Sequence, residues 1–220
     1  MIIENIKKNY GKKTVLKDIT VKVDEGKCVG ILGGNGSGKS TLMSILAGVL
    51  RSDGGTFTYG DKDLLKDSTV RAEVLGYVPQ STPLIEELTA KDNLRLWYEK
   101  DAMNESLNHG VLKLLGVDEF INVAVYKMSG GMKKRLAIGC AVASNPQILL
   151  LDEPSAALDL VCKENIATYL SEFKNSGGRI LLATHDIQEL PLCDELYILK
   201  GGVLTPFEYD GDVHRLARSL

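Results

Sequence analysis

Apolar residues in this chain recur in two rhythms. Residues 14–23 alternate apolar and polar, as in a strand with one buried face, and residues 27–32 are apolar almost throughout, as in a strand covered on both sides. Residues 39–48 change to helical spacing, with Leu42, Ile45, Leu46 and Val49 on one face. Asp53, Gly54 and Gly55 predict a turn, and 56–65 a hairpin strand. Helical spacing then runs through 84–125, with Leu88 ahead of a segment opened by Thr89 and carrying Leu94 and Trp97. Leu107, Val111, Leu114 and Leu115 continue it, and Gly116 stops it. Residues 130–144 predict one more helix, ended before Pro146. From there the elements alternate: strand 148–152, helix 159–173, a turn at Gly177-Gly178, strand 180–183, helix 186–190 and strand 196–199. Apolar strands separated by helices predict an α/β fold built on a parallel sheet covered on both faces.

At about 150 residues per domain, 220 residues leave room for one large domain or a domain with a sub-lobe. Lys+Arg 26 against Asp+Glu 29 gives a net charge of −3, which argues against a dedicated nucleic-acid binder. The longest uncharged stretch, Leu136 to Leu151, contains Gly139, Asn145, Pro146 and Gln147 and falls short of the roughly 20 apolar residues a membrane span needs. The N-terminus shows no basic segment followed by an apolar one, so no signal peptide is expected. Cys28, Cys140, Cys162 and Cys193 are far apart in sequence and predict buried thiols of a cytosolic protein. Glycine is the outlier, at 22 residues. Five Gly-Gly pairs occur in unlike surroundings, which predicts turns and close backbone approaches and no internal repeat.

One glycine cluster carries chemistry. Gly33-Gly34-Asn35-Gly36-Ser37-Gly38-Lys39-Ser40 fits G-x-x-x-x-G-K-[ST], directly after an apolar strand and directly before a helix. Glycines let successive N–H groups fold around phosphates, and the helix start adds a positive dipole end. Lys39 is placed to reach the terminal phosphates, and the Ser40 hydroxyl to ligate Mg²⁺. Ile148 to Leu151 then lead into Asp152 and Glu153, an apolar strand ending in two carboxylates. Asp152 suits the Mg²⁺ shell, and Glu153 suits the orientation of an attacking water.

With these two motifs in place, the chain resembles, over nearly its whole length, the nucleotide-binding domain of ATP-binding cassette (ABC) transporters. Met128-Ser129-Gly130-Gly131-Met132 is similar to the family signature L-S-G-G-Q, and lies ahead of the acidic strand at about the family spacing. Tyr10 resembles the adenine-stacking aromatic and Gln80 the Q-loop glutamine. Ser155-Ala156-Ala157-Leu158-Asp159 resembles the D-loop, and His185 the switch histidine. The resemblance implies an α/β P-loop NTPase fold with a mostly parallel central sheet, an antiparallel β subdomain and a small helical signature subdomain. The domain would span 1–220, the helical part about 82–145. ATP and Mg²⁺ would be held by Tyr10, residues 33–41 (Thr41 included), Asp152, Ser129, Gly130, Gly131 and Asp159. Gln80, Glu153 and His185 would act in catalysis, with Gln80 also on the Mg²⁺ side.

A serine at a helix start followed by two glycines offers a second phosphate-binding helix end. The resemblance implies that the signature of one cassette closes head-to-tail on the ATP of another, in a homodimer or heterodimer that loosens on hydrolysis. Met132 stands where the family has glutamine, a change expected to weaken that closure; Gly34 and Leu160 replace frequent prolines. With no span of its own, the chain would work with a separate transmembrane permease subunit at the cytoplasmic face of the membrane. Leu84, Ile85, Leu88, Leu94, Trp97 and Tyr98 would form the lobe on which that subunit docks. Short cassettes of this kind most resemble exporter subunits of drug, peptide or antibiotic type. The alternative is a soluble ABC ATPase of translation or DNA repair; those usually carry two cassettes, or an insertion and basic surfaces. A small phosphate-loop kinase would need an acceptor site, and none is legible.

Overall fold

The computed structural model describes residues 1–155 and 158–220. The chain opens with Ile2–Tyr10 (β1), Lys13–Lys22 (β2) and Cys28–Leu32 (β3), then Lys39–Leu46 (α1), Gly54–Tyr59 (β4) and Lys62–Asp63 (β5). Ser68–Val74 (α2) and Leu75–Val78 (β6) follow. A helical stretch comes next, made of Ala90–Leu94 (α3), Lys100–His109 (α4), Val111–Leu114 (α5) and Gly130–Ala141 (α6), with two short 3-10 turns ahead of α6. The last part alternates: Ile148–Asp152 (β7), Leu160–Asn175 (α7), Arg179–Thr184 (β8), a 3-10 turn at Ile187–Leu192, Glu195–Lys200 (β9), Val203–Phe207 (β10) and Val213–Ser219 (α8). Among the described residues no helix is long and apolar enough to cross a membrane.

The fold is α/β, as expected. The main sheet has the order β10-β9-β3-β8-β7-β6, parallel throughout except for the β9–β10 hairpin. A smaller antiparallel sheet, β2-β1-β4-β5, packs against it. The two-residue period of the parallel strands divides the interior. Leu149, Leu151, Ile180 and Leu182 face a cluster shared with α6, α7 and the helical stretch. Ile148, Leu150, Leu181 and Ala183 face the other, shared with α1 and the antiparallel sheet. Both faces are covered, which is why these strands carry no polar alternation.

Several elements depart from the sequence reading. β1 is hidden from a period-two reading because buried Ile3 and Ile6 are three apart, with register shifts between them and Asn5 at φ 53. The hairpin strand expected at 56–65 is two strands, β4 and β5, turning at Gly60 with φ 57. The helix expected over 186–190 is a 3-10 turn with Pro191 inside it, since proline removes a donor an α-helix needs. β6, β10, α2 and α8 are further elements, each of seven residues or fewer.

Candidate functional site

Parallel register assembles the site before any side chain is considered. Leu32 pairs with Thr184, Asp152 with Ala183 and Val78 with Leu151. β3, β8, β7 and β6 therefore end at one edge of the sheet. The glycine loop, His185, Glu153 and Gln80, each just past the end of one of these strands, emerge together at that edge. The carboxyl edge of a parallel sheet is where ligands of such folds bind.

The loop after β3 wraps a lysine. Gly36 and Gly38 sit at φ 77 and φ 112, conformations that favour glycine. At Gly33 a Cβ would lie 2.5 Å from Ser37 Oγ and 2.8 Å from Leu199 O, so the loop lies too close to its neighbours for any side chain there. Lys39, 5% exposed, opens α1 and donates from Nζ to Gly33 O at 2.6 Å and Gly34 O at 3.5 Å. Burial holds its ammonium below the ordinary lysine range, with Glu153 and Asp152 pulling it back up. A cavity of about 580 Å³ opens above, floored by Asn35 to Thr41, with Tyr10 and Lys13 on one side and Gln80 and Glu153 on another. Tyr10 ends β1, is 49% exposed and has Lys8 Nζ 5.6 Å from its ring centroid.

Glu153 is the meeting point. Its backbone is left-handed, φ 50, a strain of roughly 1–3 kcal/mol for a residue with a side chain, and its N–H donates to Ala183 O at 2.8 Å. The Gln80 amide donates to Glu153 Oε2 at 3.1 Å, and His185 Nδ1 lies 2.9 Å from Oε1. Lys39 Nζ is 3.9 Å from the same oxygen. Asp152 beside it is buried, and burial raises its carboxyl pKa; the Ser40 hydroxyl opposes this, Glu153 adds to it, and Lys39 and Lys134 oppose it too. Asp152 Oδ1 has no hydrogen-bond partner. An orphaned, buried carboxylate oxygen with a hydroxyl nearby fits a hard divalent cation such as Mg²⁺.

Ser129, Gly130 and Gly131 lie elsewhere and do not line this cavity. Ser129 caps α6, its Oγ accepting from Met132 N at 3.2 Å. Gly130 faces open space, while a Cβ on Gly131 would fall 2.5 Å from Cys162 Sγ. Asp159 caps α7, accepting from Cys162 N at 2.9 Å, so the signature and the start of α7 adjoin. Ala156 and Ala157 of the expected D-loop lie outside the described residues. Of the expected docking residues, Leu94 is fully buried, and Tyr98 is half-buried against the same core with its hydroxyl donating to Gly139 O at 3.0 Å. Trp97, 65% exposed, borders a groove of about 420 Å³ together with Pro79, Pro83 and Leu84.

Two residues escaped the sequence reading. Glu189 Oε1 accepts from Ser155 N at 3.2 Å, joining the segment after Glu153 to that after His185. Lys134 is 5% exposed and donates to the carbonyls of Pro79 and Gln80. A signal existed for the second: Lys133-Lys134-Arg135 sits in the first turns of α6, where positive charge opposes the helix dipole.

A glycine loop closed on a lysine at a parallel sheet's carboxyl edge, beside two acidic residues, defines a phosphate-loop nucleotide-binding protein. Residues 16–156 match the sequence profile described as ABC transporter. The chain is 34% identical over 208 residues to the linearmycin resistance ATP-binding protein LnrL of Bacillus subtilis, covering 90% of this chain and 66% of that one. It is 33% identical to the Nod factor export ATP-binding protein I of Rhizobium etli (90% and 64%) and 30% identical to the lantibiotic transport ATP-binding protein SrtF of Streptococcus pyogenes (95% and 91%). The chain thus spans slightly less than two thirds of the first two relatives and most of the third. Among solved structures, a dimeric ATP-binding cassette in a post-hydrolysis state, bound to ADP and Pi, superposes with a TM-score of 0.83 at 27% identity, covering 96% of this chain and all of that one. The chain belongs to the ABC transporter family.

Proposed function

We propose that this chain is the ATP-hydrolysing subunit of a membrane transporter, a single cassette over 1–220 whose helical part, about 82–145, carries the signature. The observation that supports it best is the convergence of Gln80, His185 and Lys39 on Glu153 at the phosphate loop. In this reading the loop amides of residues 33–41 and Lys39 bind the phosphates, and Tyr10 stacks on the base. Glu153 orients water for attack in line with the γ-phosphate, Gln80 and His185 fix the direction of its carboxylate, and His185 reaches toward the γ-phosphate. Ser40, Asp152 and Gln80 would hold Mg²⁺, which when bound offsets phosphate charge.

The second helix end, Ser129 to Gly131 with Asp159 alongside, serves another cassette's ATP, so ATP joins two cassettes head-to-tail and hydrolysis releases them. Contacts to the γ-phosphate, absent from ADP, supply the difference in affinity between the two states. The groove beside Trp97 accepts a separate transmembrane subunit at the cytoplasmic face. The names of the linearmycin, Nod factor and lantibiotic relatives support export of a drug-, peptide- or antibiotic-type cargo. Affinity capture from solubilised membranes tests this. A multi-span membrane protein recovered with the chain, and ADP formed from ATP with water as the only acceptor, are the expected results. Capture of ribosomal or DNA-repair components instead would contradict it.

A further inference from the structure

Lys134 stands five positions after the Ser129 cap of α6, where a buried cation is doubly costly: it opposes the dipole and leaves water. Its surroundings explain its presence. Nζ donates to Pro79 O and Gln80 O, 3.1 Å each. Burial pulls its ammonium below the ordinary lysine range, and Asp152, Glu153 and Glu189 pull it back. Among the described residues it is thus a second buried ammonium, after Lys39, under the influence of the Asp152–Glu153 pair. From Gln80 the series continues, the amide to Glu153 Oε2 at 3.1 Å and His185 to Oε1 at 2.9 Å. A hydrogen-bonded path therefore runs within one chain from the signature helix to Glu153.

We propose that Lys134 is a positioning residue for hydrolysis: it clamps the backbone of Pro79 and Gln80 so that the Gln80 amide holds Glu153, tying the attitude of the Ser129–Gly131 helix end to the carboxylate that orients water. The inference rests on the proposed role of Glu153. An ammonium has three donors, two engaged by the carbonyls, and hydrogen bonds from charged donors are stronger than neutral ones. Lys39 is committed to phosphate once ATP binds, whereas Lys134 remains with the Gln80 backbone. A shift of α6 as its end meets another cassette's ATP is then carried to Glu153 without passing through solvent.

The test compares Lys134→Met, Lys134→Arg, Gln80→Ala, the double variant Lys134→Met/Gln80→Ala, and Glu153→Gln. Lys134→Met should lower kcat about ten- to a hundredfold with the KM for ATP within about twofold of wild type, and Lys134→Arg should recover most of the loss. The double variant should turn over no more slowly than Gln80→Ala alone, because the lysine acts through the glutamine. Wild-type turnover in Lys134→Met, or losses that add in the double variant, overturn the proposal. If Glu153→Gln is inactive while Lys134→Met is normal, only the role of Lys134 falls; if Glu153→Gln turns over normally, the reading beneath it falls as well.

Discussion

Glu153 combines features that a merely structural acid does not need: near-complete burial, a left-handed backbone, an amide and an imidazole on its two oxygens, and an ammonium nearby. Lys39 gives the simplest test of its surroundings. Lys39→Ala removes the point charge within the phosphate loop and should weaken ATP binding at least about tenfold, since one charge-assisted contact is worth about 1.5–3 kcal/mol. Isothermal titration with ATP measures this directly, and unchanged affinity would count against the site. Asp194 offers a test of stability away from the chemistry. Burial raises its carboxyl, but the Cys28 N–H at 2.9 Å, Lys27 and Lys174 outweigh that, so its pKa lies below the ordinary 3.8. A lowered folded-state value means stability that is present above 3.8 and lost as pH falls through the folded-state value. Asp194→Asn should therefore lower Tm at neutral pH, with the gap from wild type closing in acid below 3.8; a gap that stays constant with pH would contradict this ion cluster.

Among the elements, α6 is where pattern reading reached its limit. Its cap and two glycines are plain in the sequence, and so are its bounds to within a few residues, but the direction of its basic run is not. Lys133 meets Glu86 near the surface, while Lys134 and Arg135 turn inward, to the Q-loop carbonyls and to Leu115 O. Charge alone reads as a solvated face; only the tertiary contacts say which cations are buried. Gly131 is tied equally closely to α7. Gly131→Ala should cost about 1–3 kcal/mol through overpacking, because the new Cβ would lie 2.5 Å from Cys162 Sγ. Thermal unfolding should show a Tm lower by about 2–4 °C per kcal/mol, and Cys162→Ala in the same chain should restore it. An unchanged Tm in the single variant would mean that the α6–α7 contact yields freely. β1 and β6 were illegible for local reasons, a bulge that breaks the two-residue period and a four-residue strand containing a glycine.

In the whole molecule, the parallel register explains why motifs scattered from residue 33 to residue 185 form one site: each comes after a strand that ends at the same edge. Their order and identity were readable from the chain. The strained Glu153 backbone, the Lys134 clamp and the Glu189 link were not, because they depend on which loops the sheet places side by side. Ser129 to Gly131 do not line the cavity above Lys39, and in the proposed reading a second cassette brings its own signature to that nucleotide. The decisive measurement is the mass of Glu153→Gln in solution, by light scattering, with ATP and Mg²⁺ and then with ADP. A particle of two chains with ATP, slow to hydrolyse it, and a single chain with ADP are the expected results. A variant that binds ATP yet stays single, or one that dimerises equally with ADP, would contradict the ATP-driven pairing of cassettes.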